Sequence, residues 1–344
     1  MVVENTGSVR RDERLDAIRG LGMVFIIIGH SVSMGTWARS LIFSFHVPLF
    51  YFVSGYLFSV KPGKIKKTFL RSAKPYIFTS LIIIIFYTIK ASVQSGAFSW
   101  ETMKKWILAA LYMSGSRKDF LSYSITPIGA LWFLAALVWA SLFLYIILKY
   151  IPDSRLGKVL RTAAVVIIFF AGFLTAKLTW LPFSVQAGAC ALLFMYAGYC
   201  LKDLMWKRPK FPTAFLICLI IWLIDILAGK ENQLSMVSCK FPHLILNVAG
   251  ALAAVYVIFR FTDRTINIPV IRKIYQYLAW LGKSSMIILC FHTLEMKFMP
   301  WDTILSFLPS FMPYFLIKMI LKLLWATFWV FVINRIKPLK WIFS

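Results

Sequence analysis

Acidic residues are scarce in this chain of 344: 13 Asp and Glu stand against 38 Lys and Arg, a formal charge of +25. Charge of either sign is thin, at 15% of residues, while hydrophobic residues reach 60%. Soluble proteins hold roughly 45–50% even with glycine counted. A soluble core cannot hide that much apolar surface in a chain of this length, so a single soluble domain is excluded. Intrinsic disorder, which needs low hydrophobicity, is excluded too. Cysteines number five, Cys190, Cys200, Cys218, Cys239 and Cys290, with no disulfide framework and no zinc spacing, so no metal is expected. No low-complexity linker, internal repeat or cleavable signal peptide is apparent. A +25 charge invites a nucleic-acid reading, but that would require the cations to share one water-exposed face.

They punctuate apolar runs instead. Ten stretches near the length that crosses ~30 Å of hydrocarbon are predicted. They are Gly20–Thr36, Leu41–Val60, Tyr76–Ala91, Ile128–Ile151, Leu160–Ala176, Phe183–Leu201, Thr213–Gly229, Leu244–Phe261, Tyr277–Met296 and Pro313–Asn334. Trp106–Met113, behind Lys104 and Lys105, is too short to cross and reads as interfacial. The fold expected is all-α, a polytopic membrane helix bundle forming one domain over 1–344. Ten spans place both termini on one side. Most Lys and Arg fall in the two tails and alternate connections, among them Arg10, Arg11, Lys61, Lys207, Arg208, Lys210 and Arg335. The positive-inside rule makes that side cytoplasmic, with tails at 1–18 and 335–344.

Ionisable residues inside such spans are costly and are functional candidates by default. Arg19 and His30, in RGLGMVFIIIGH, are eleven residues apart, nearly three helical turns. They share one helix face about 16 Å apart along the axis. A cation near the boundary with a titratable imidazole above it suits a long anionic ligand whose reactive end is buried. An anchoring arginine and a packed histidine are the plainer alternative. The second span carries His46 and Ser54 in FSFHVPLFYFVSGYLF, followed by the basic KPGKIKKTFLRSAKPY, read as a connection that either serves orientation alone or cradles phosphates. Trp132 opens the fourth span as belt anchor or pocket wall. His292 and Glu295 in the ninth are three apart and face together, so the carboxylate can orient the imidazole. His243, at the start of the eighth span, has no evident partner.

These motifs, in this order, resemble the acyltransferase-3 family of multispanning membrane acyltransferases. The family opens with an arginine, ten residues and a histidine, as at Arg19 and His30. Its PLFFFxSGYL run is matched at Pro48–Phe58, its WFL run at Trp132–Leu134 and its GKSSxxIxxxH run at Gly282–His292. FHVPLF and GKSSMIILCFH are most similar to the fucose 4-O-acetylase-like branch. Where the family often has several arginines after span two, this chain has lysines, with Arg71 the only guanidinium there.

The resemblance implies transfer of a short acyl group, acetyl first, from acyl-CoA to a hydroxyl of a surface-polysaccharide or lipid-linked sugar in the bacterial cytoplasmic membrane. It implies His30 as base or acyl relay and Arg19 beside it in catalysis. Arg19, Lys67, Arg71 and Lys74 would hold the donor phosphates, and His46, Ser54, Trp132, His292 and Glu295 would form the substrate pocket. Acyl-CoA is then a donor substrate and no permanently bound cofactor is expected. The partners are the acyl-CoA, the glycan acceptor and membrane lipids, with no nucleic acid; a homo-oligomer or other glycan-assembly proteins are compatible with this. A transporter or flippase for a lipid-linked glycan, or a scaffold, would use the same spans without a donor.

Overall fold

A computed structural model describes residues 12–120, 123–205, 213–309 and 313–343. The charges at Arg10, Arg11, Lys207, Arg208 and Lys210 lie outside them. Fourteen α-helices make up nearly all of the described fold. They are α1 (Glu13–Gly29), α2 (Trp37–Tyr56), α3 (Lys64–Ser95), α4 (Trp100–Tyr112), α5 (Trp132–Tyr150), α6 (Arg155–Leu178) and α7 (Val185–Met205). There follow α8 (Thr213–Ala228), α9 (Leu244–Thr265), α10 (Pro269–Lys283), α11 (Ser285–Phe298), α12 (Trp301–Leu305), α13 (Tyr314–Arg335) and α14 (Lys337–Ile342). A hairpin of β1 (Lys118–Phe120) and β2 (Tyr123–Ile125) joins α4 to α5.

Six helices among the described residues are long and apolar enough to cross a membrane unaided: α3, α5, α6, α7 with its leading 3₁₀ turn, α9 and α13. Large apolar side chains face outward along them, including Ile77, Leu81 and Ile85 on α3 and Ile320, Leu324 and Phe328 on α13. A continuous apolar exterior of this kind needs lipid to cover it. The chain is an integral membrane protein built as a polytopic helix bundle. The predicted interfacial segment is the end of α4, whose Trp106 stacks on Tyr87 of α3 at 4.2 Å between ring centroids.

Apolar surfaces gain nothing by meeting in lipid, so close packing must supply the cohesion between helices, and small residues provide it. Two helix pairs show how. A Cβ on Gly20 of α1 would lie 1.8 Å from the Leu278 carbonyl oxygen of α10, and one on Gly282 would lie 1.8 Å from that of Asp16. On the second pair, a Cβ on Gly55 of α2 would lie 1.7 Å from the Met195 carbonyl oxygen of α7, and one on Gly198 2.0 Å from that of Phe52. Any other residue at these positions would force the backbones apart.

Three sequence expectations are revised. The first span, predicted over Gly20–Thr36, is a helix from Glu13 to Gly29. Asp12 caps its start by accepting from the Arg14 N–H at 2.9 Å, and the turn after Gly29 tightens into a polar SVSMG loop. His30 is therefore the C-cap of α1 and not a mid-helix residue. The basic connection after span two is mostly helical, because α3 begins at Lys64 and continues through Pro75 for 32 residues. The ninth span is not one helix. It breaks at Ser284, whose hydroxyl accepts from Asn334 Nδ2 of α13 at 3.2 Å.

Helix direction follows from side-chain register. Arg19 and Ser285 line one cavity, and His30 lies beside His292, so α11 runs parallel to α1. Asn334 meets Ser284 while Lys322 meets Glu295, so α13 runs antiparallel to α11 and returns to the end where α1 starts. Lys74, early in α3, sits over the Trp341 ring of α14 at 3.9 Å at that same end. The first and last described helices thus share one end of the bundle, called here the terminal end.

Candidate functional site

Arg19, His30, His46, Ser54 and Trp132 line a single cavity of about 130 Å³. Each reaches it for a local reason. Arg19 and His30 share a face of α1, as their spacing requires. His46 and Ser54 are eight residues apart on α2, about two turns, and Pro48 sits between them inside the helix. Trp132 is the first residue of α5 and presents its ring edge-on to Phe133 at 6.2 Å. The wall runs from Arg19 and Ser285 near the terminal end to His30 and the loop residues Leu234–Val237 at the far end.

The polar groups around His30 are held by one another. His46 Nδ1 lies 2.8 Å from the Ile42 carbonyl oxygen. A carbonyl only accepts, so Nδ1 carries the proton and Nε2 is the free acceptor in the neutral ring. Phe43 spaces the two imidazoles, with its ring 4.8 Å from His46 and 6.3 Å from His30. Arg39 fastens the end of α1. Its guanidinium donates to the Gly29 and Val32 carbonyls at 3.0 Å each and to Gln233 Oε1 at 3.1 Å, and it lies over the Phe43 ring at 4.2 Å. Carbonyls left unpaired where α1 ends gain a charged donor there.

His292 and Glu295, expected in the pocket wall, are fully buried behind it, and neither lines the cavity. His292 Nδ1 lies 2.7 Å from Glu295 Oε2, and its ring is 5.4 Å from that of His30. The other carboxylate oxygen, Oε1, accepts from Trp301 Nε1 and pairs with Lys322 Nζ at 3.3 Å. Lys67, Arg71 and Lys74 do not join Arg19. With Gly63, Lys66 and Leu70 they form a separate groove on the first turns of α3, spaced at four and three residues along one face. Lys74 is also committed to the C-terminal helix, donating to the Trp341 carbonyl at 3.2 Å. His243 precedes α9 and takes no part in the cavity: its N–H donates to Asn247 Oδ1.

Three residues of this constellation escape a reading of the sequence. Lys322 carries a signal, since a lysine inside an apolar run is expensive and needs a partner. Arg39 reads only as a loop charge. Trp301 gives no signal at all, because its role depends on the short helix α12 folding back over α11. Among the described residues no cluster of His, Cys, Asp or Glu could hold a metal ion.

A family described as an acyltransferase domain, acyltransferase-3, matches residues 12–334. Among curated proteins, the chain is 23% identical over 301 residues to the nodulation protein NolL of Mesorhizobium japonicum, covering 82% of this chain and 76% of that protein. It is 26% identical over 176 residues to NolL of Sinorhizobium fredii, covering 48% of this chain and 43% of that relative's length. No solved structure matches. With the family match running through nearly every helix of the bundle and across the cavity, the chain belongs to the acyltransferase-3 family of membrane acyltransferases.

Proposed function

We propose that this protein transfers an acetyl or similarly short acyl group from acyl-CoA to a hydroxyl of a surface-polysaccharide or lipid-linked sugar. The observation that carries the reading is the shared cavity: Arg19 near the terminal end, His30 about three helical turns deeper, and His46, Ser54 and Trp132 around them. A CoA thioester is a polyanion at one end and a neutral acyl group at the other. Arg19 meets the anionic part and the pantetheine arm lies along α1, which brings the thioester to His30. The acceptor hydroxyl oxygen attacks the thioester carbon while the carbon–sulfur bond breaks. The hydroxyl proton passes to His30 and from there to the departing thiolate. General-base help of this kind contributes about 10²–10⁴-fold. Acyl relay on His30 uses the same residue in two steps.

The exposed cations of the α3 groove, Lys67 and Arg71 above all, would gather the nucleotide phosphates at the terminal end. This reading puts the terminal end in the cytoplasm, where the Lys and Arg bias also puts it. The membrane is then the bacterial cytoplasmic one.

The test uses purified full-length protein in lipid nanodiscs with acetyl-CoA and a fucose-containing glycan. Expected is release of free CoA with one acetyl increment on the glycan by mass spectrometry, lost in His30→Ala while insertion and thermal midpoint persist. Normal product from His30→Ala sinks the assignment of His30. Glycan movement across vesicles with no donor consumed would identify a flippase instead.

A further inference from the structure

We propose that His292, Glu295 and Lys322 form a fixed proton-handling line behind His30, setting which nitrogen of His30 faces the cavity and supporting the charge that forms on it. The inference rests on the reading of His30 as the base given above. His292 does not reach the cavity, so it is a positioning residue acting through His30.

The line of contacts begins at Lys322. Lys322 lies on the mostly apolar helix α13, one turn after Lys318, and is buried, as is Glu295. The Lys322 ammonium at 3.3 Å and the indole N–H of Trp301 both address Oε1, the donor set of an ionised carboxylate. An ionised carboxylate is an acceptor only. Its free oxygen, Oε2, lies 2.7 Å from His292 Nδ1, so that nitrogen is the N–H and Nε2 carries the lone pair. Nε2 is buried and has no hydrogen-bond partner among the described residues. An orphaned acceptor at this depth costs free energy, and the ring beside it belongs to His30.

The spacing fits one bond. Two imidazoles joined edge to edge by an N–H···N bond of about 3 Å have centroids a little over 5 Å apart, and these rings lie 5.4 Å apart, tilted by 44°. The bond is not made in this structure, where His292 Nε2 has no partner among the described residues, so the His30 ring must turn about its side-chain bond to aim an N–H at that nitrogen. Catalytic hydrogen bonds commonly tighten only once substrate is bound. With that bond made, the other nitrogen of His30 presents its lone pair to the cavity. When it takes the hydroxyl proton, both His30 nitrogens bear hydrogen, and the positive ring donates to His292, which donates to Glu295. No proton needs to leave the line; it returns from His30 to the thiolate sulfur.

The experiment compares His30→Ala, His292→Gln, Glu295→Gln and the double variant His30→Ala/His292→Gln in nanodiscs, reading turnover, acetyl-CoA KM and thermal midpoint. Expected for His292→Gln and Glu295→Gln is a tenfold or larger fall in turnover, with KM staying within twofold of the parent. The double variant should lose no more than His30→Ala alone, since residues acting as a unit are non-additive. Wild-type turnover in folded His292→Gln and Glu295→Gln, with His30→Ala inactive, would overturn the line and leave the His30 reading standing. Activity in His30→Ala would remove the reading beneath it. Should either single variant fail to accumulate, ¹⁵N shifts of histidine-labelled parent protein decide. A protonated Nδ1 with unprotonated Nε2 on His292 supports the line, and the opposite tautomer refutes it.

Discussion

The cavity beside α1 and the groove on α3 both present cations, yet they are held in place differently. At the cavity and just behind its wall, polar groups are fixed by neighbours: Arg39 ties the end of α1, Ile42 fixes the His46 tautomer, and Glu295 holds the buried His292. Along the α3 groove, Lys66, Lys67 and Arg71 project from exposed helix turns at helical spacing. A position held by several partners makes geometry the sensitive quantity. A row of solvated charges makes only the amount of charge sensitive. The bound chemistry should divide accordingly, with bond-making in the cavity and electrostatic capture on α3.

The sharpest way to break this contrast is at Arg19. Arg19→Ala should bring a tenfold or larger rise in the acetyl-CoA KM, and Arg19→Lys should restore only part of it, because an ammonium lacks the planar fork of a guanidinium. Full rescue by lysine would make Arg19 a simple charge like those on α3, and a change in protein abundance alone would make it an anchor.

A smaller effect is expected in the groove. Lys67→Ala and Arg71→Ala should each bring about a two- to fivefold rise in KM at low ionic strength, and the loss should fade near 1 M salt, where the Debye length is about 3 Å. Arg71→Lys should be nearly silent. Salt-independent losses would mean that the groove, too, is a built site.

The smallest effect belongs to a pair outside both regions. Lys318 and Asp302 lie 2.7 Å apart at the far end, with the Asp302 side chain almost wholly exposed. Asp302→Asn should leave turnover, KM and thermal midpoint unchanged within error, since exposed pairs contribute little. A clear shift would show that α12 transmits strain to Trp301 and so to Glu295.

Much of the candidate site was legible in the sequence because it lies on local periodicity. Eleven residues on a helix nearly close three turns, so Arg19 and His30 had to share a face. Three residues do nearly the same for His292 and Glu295. The break at Ser284 was not legible, since LGKSSMIIL is apolar enough to continue a helix on either side. The basic run after α2 reads as a connection because lysines suggest exposed loop, though nothing in IKKTFLRSAK opposes helix once Gly63 has turned the chain with φ +72°.

The amino-acid sequence by itself determined that this is a bundle of apolar helices and that its polar residues are rare enough to matter. It pointed to Arg19, His30, His46, Ser54 and Trp132 together with Lys67, Arg71, Lys74, His292 and Glu295, without dividing the first five from the rest. The meeting of those five at one cavity was decided by tertiary structure, as was the placement of Lys322 and Trp301 on one oxygen of Glu295. The physical reason is reach. Helical spacing carries information over a few turns, whereas the pairing of α13 with α11, or of α1 with α10, depends on which faces let backbones approach. Those contacts exist only when the whole bundle closes.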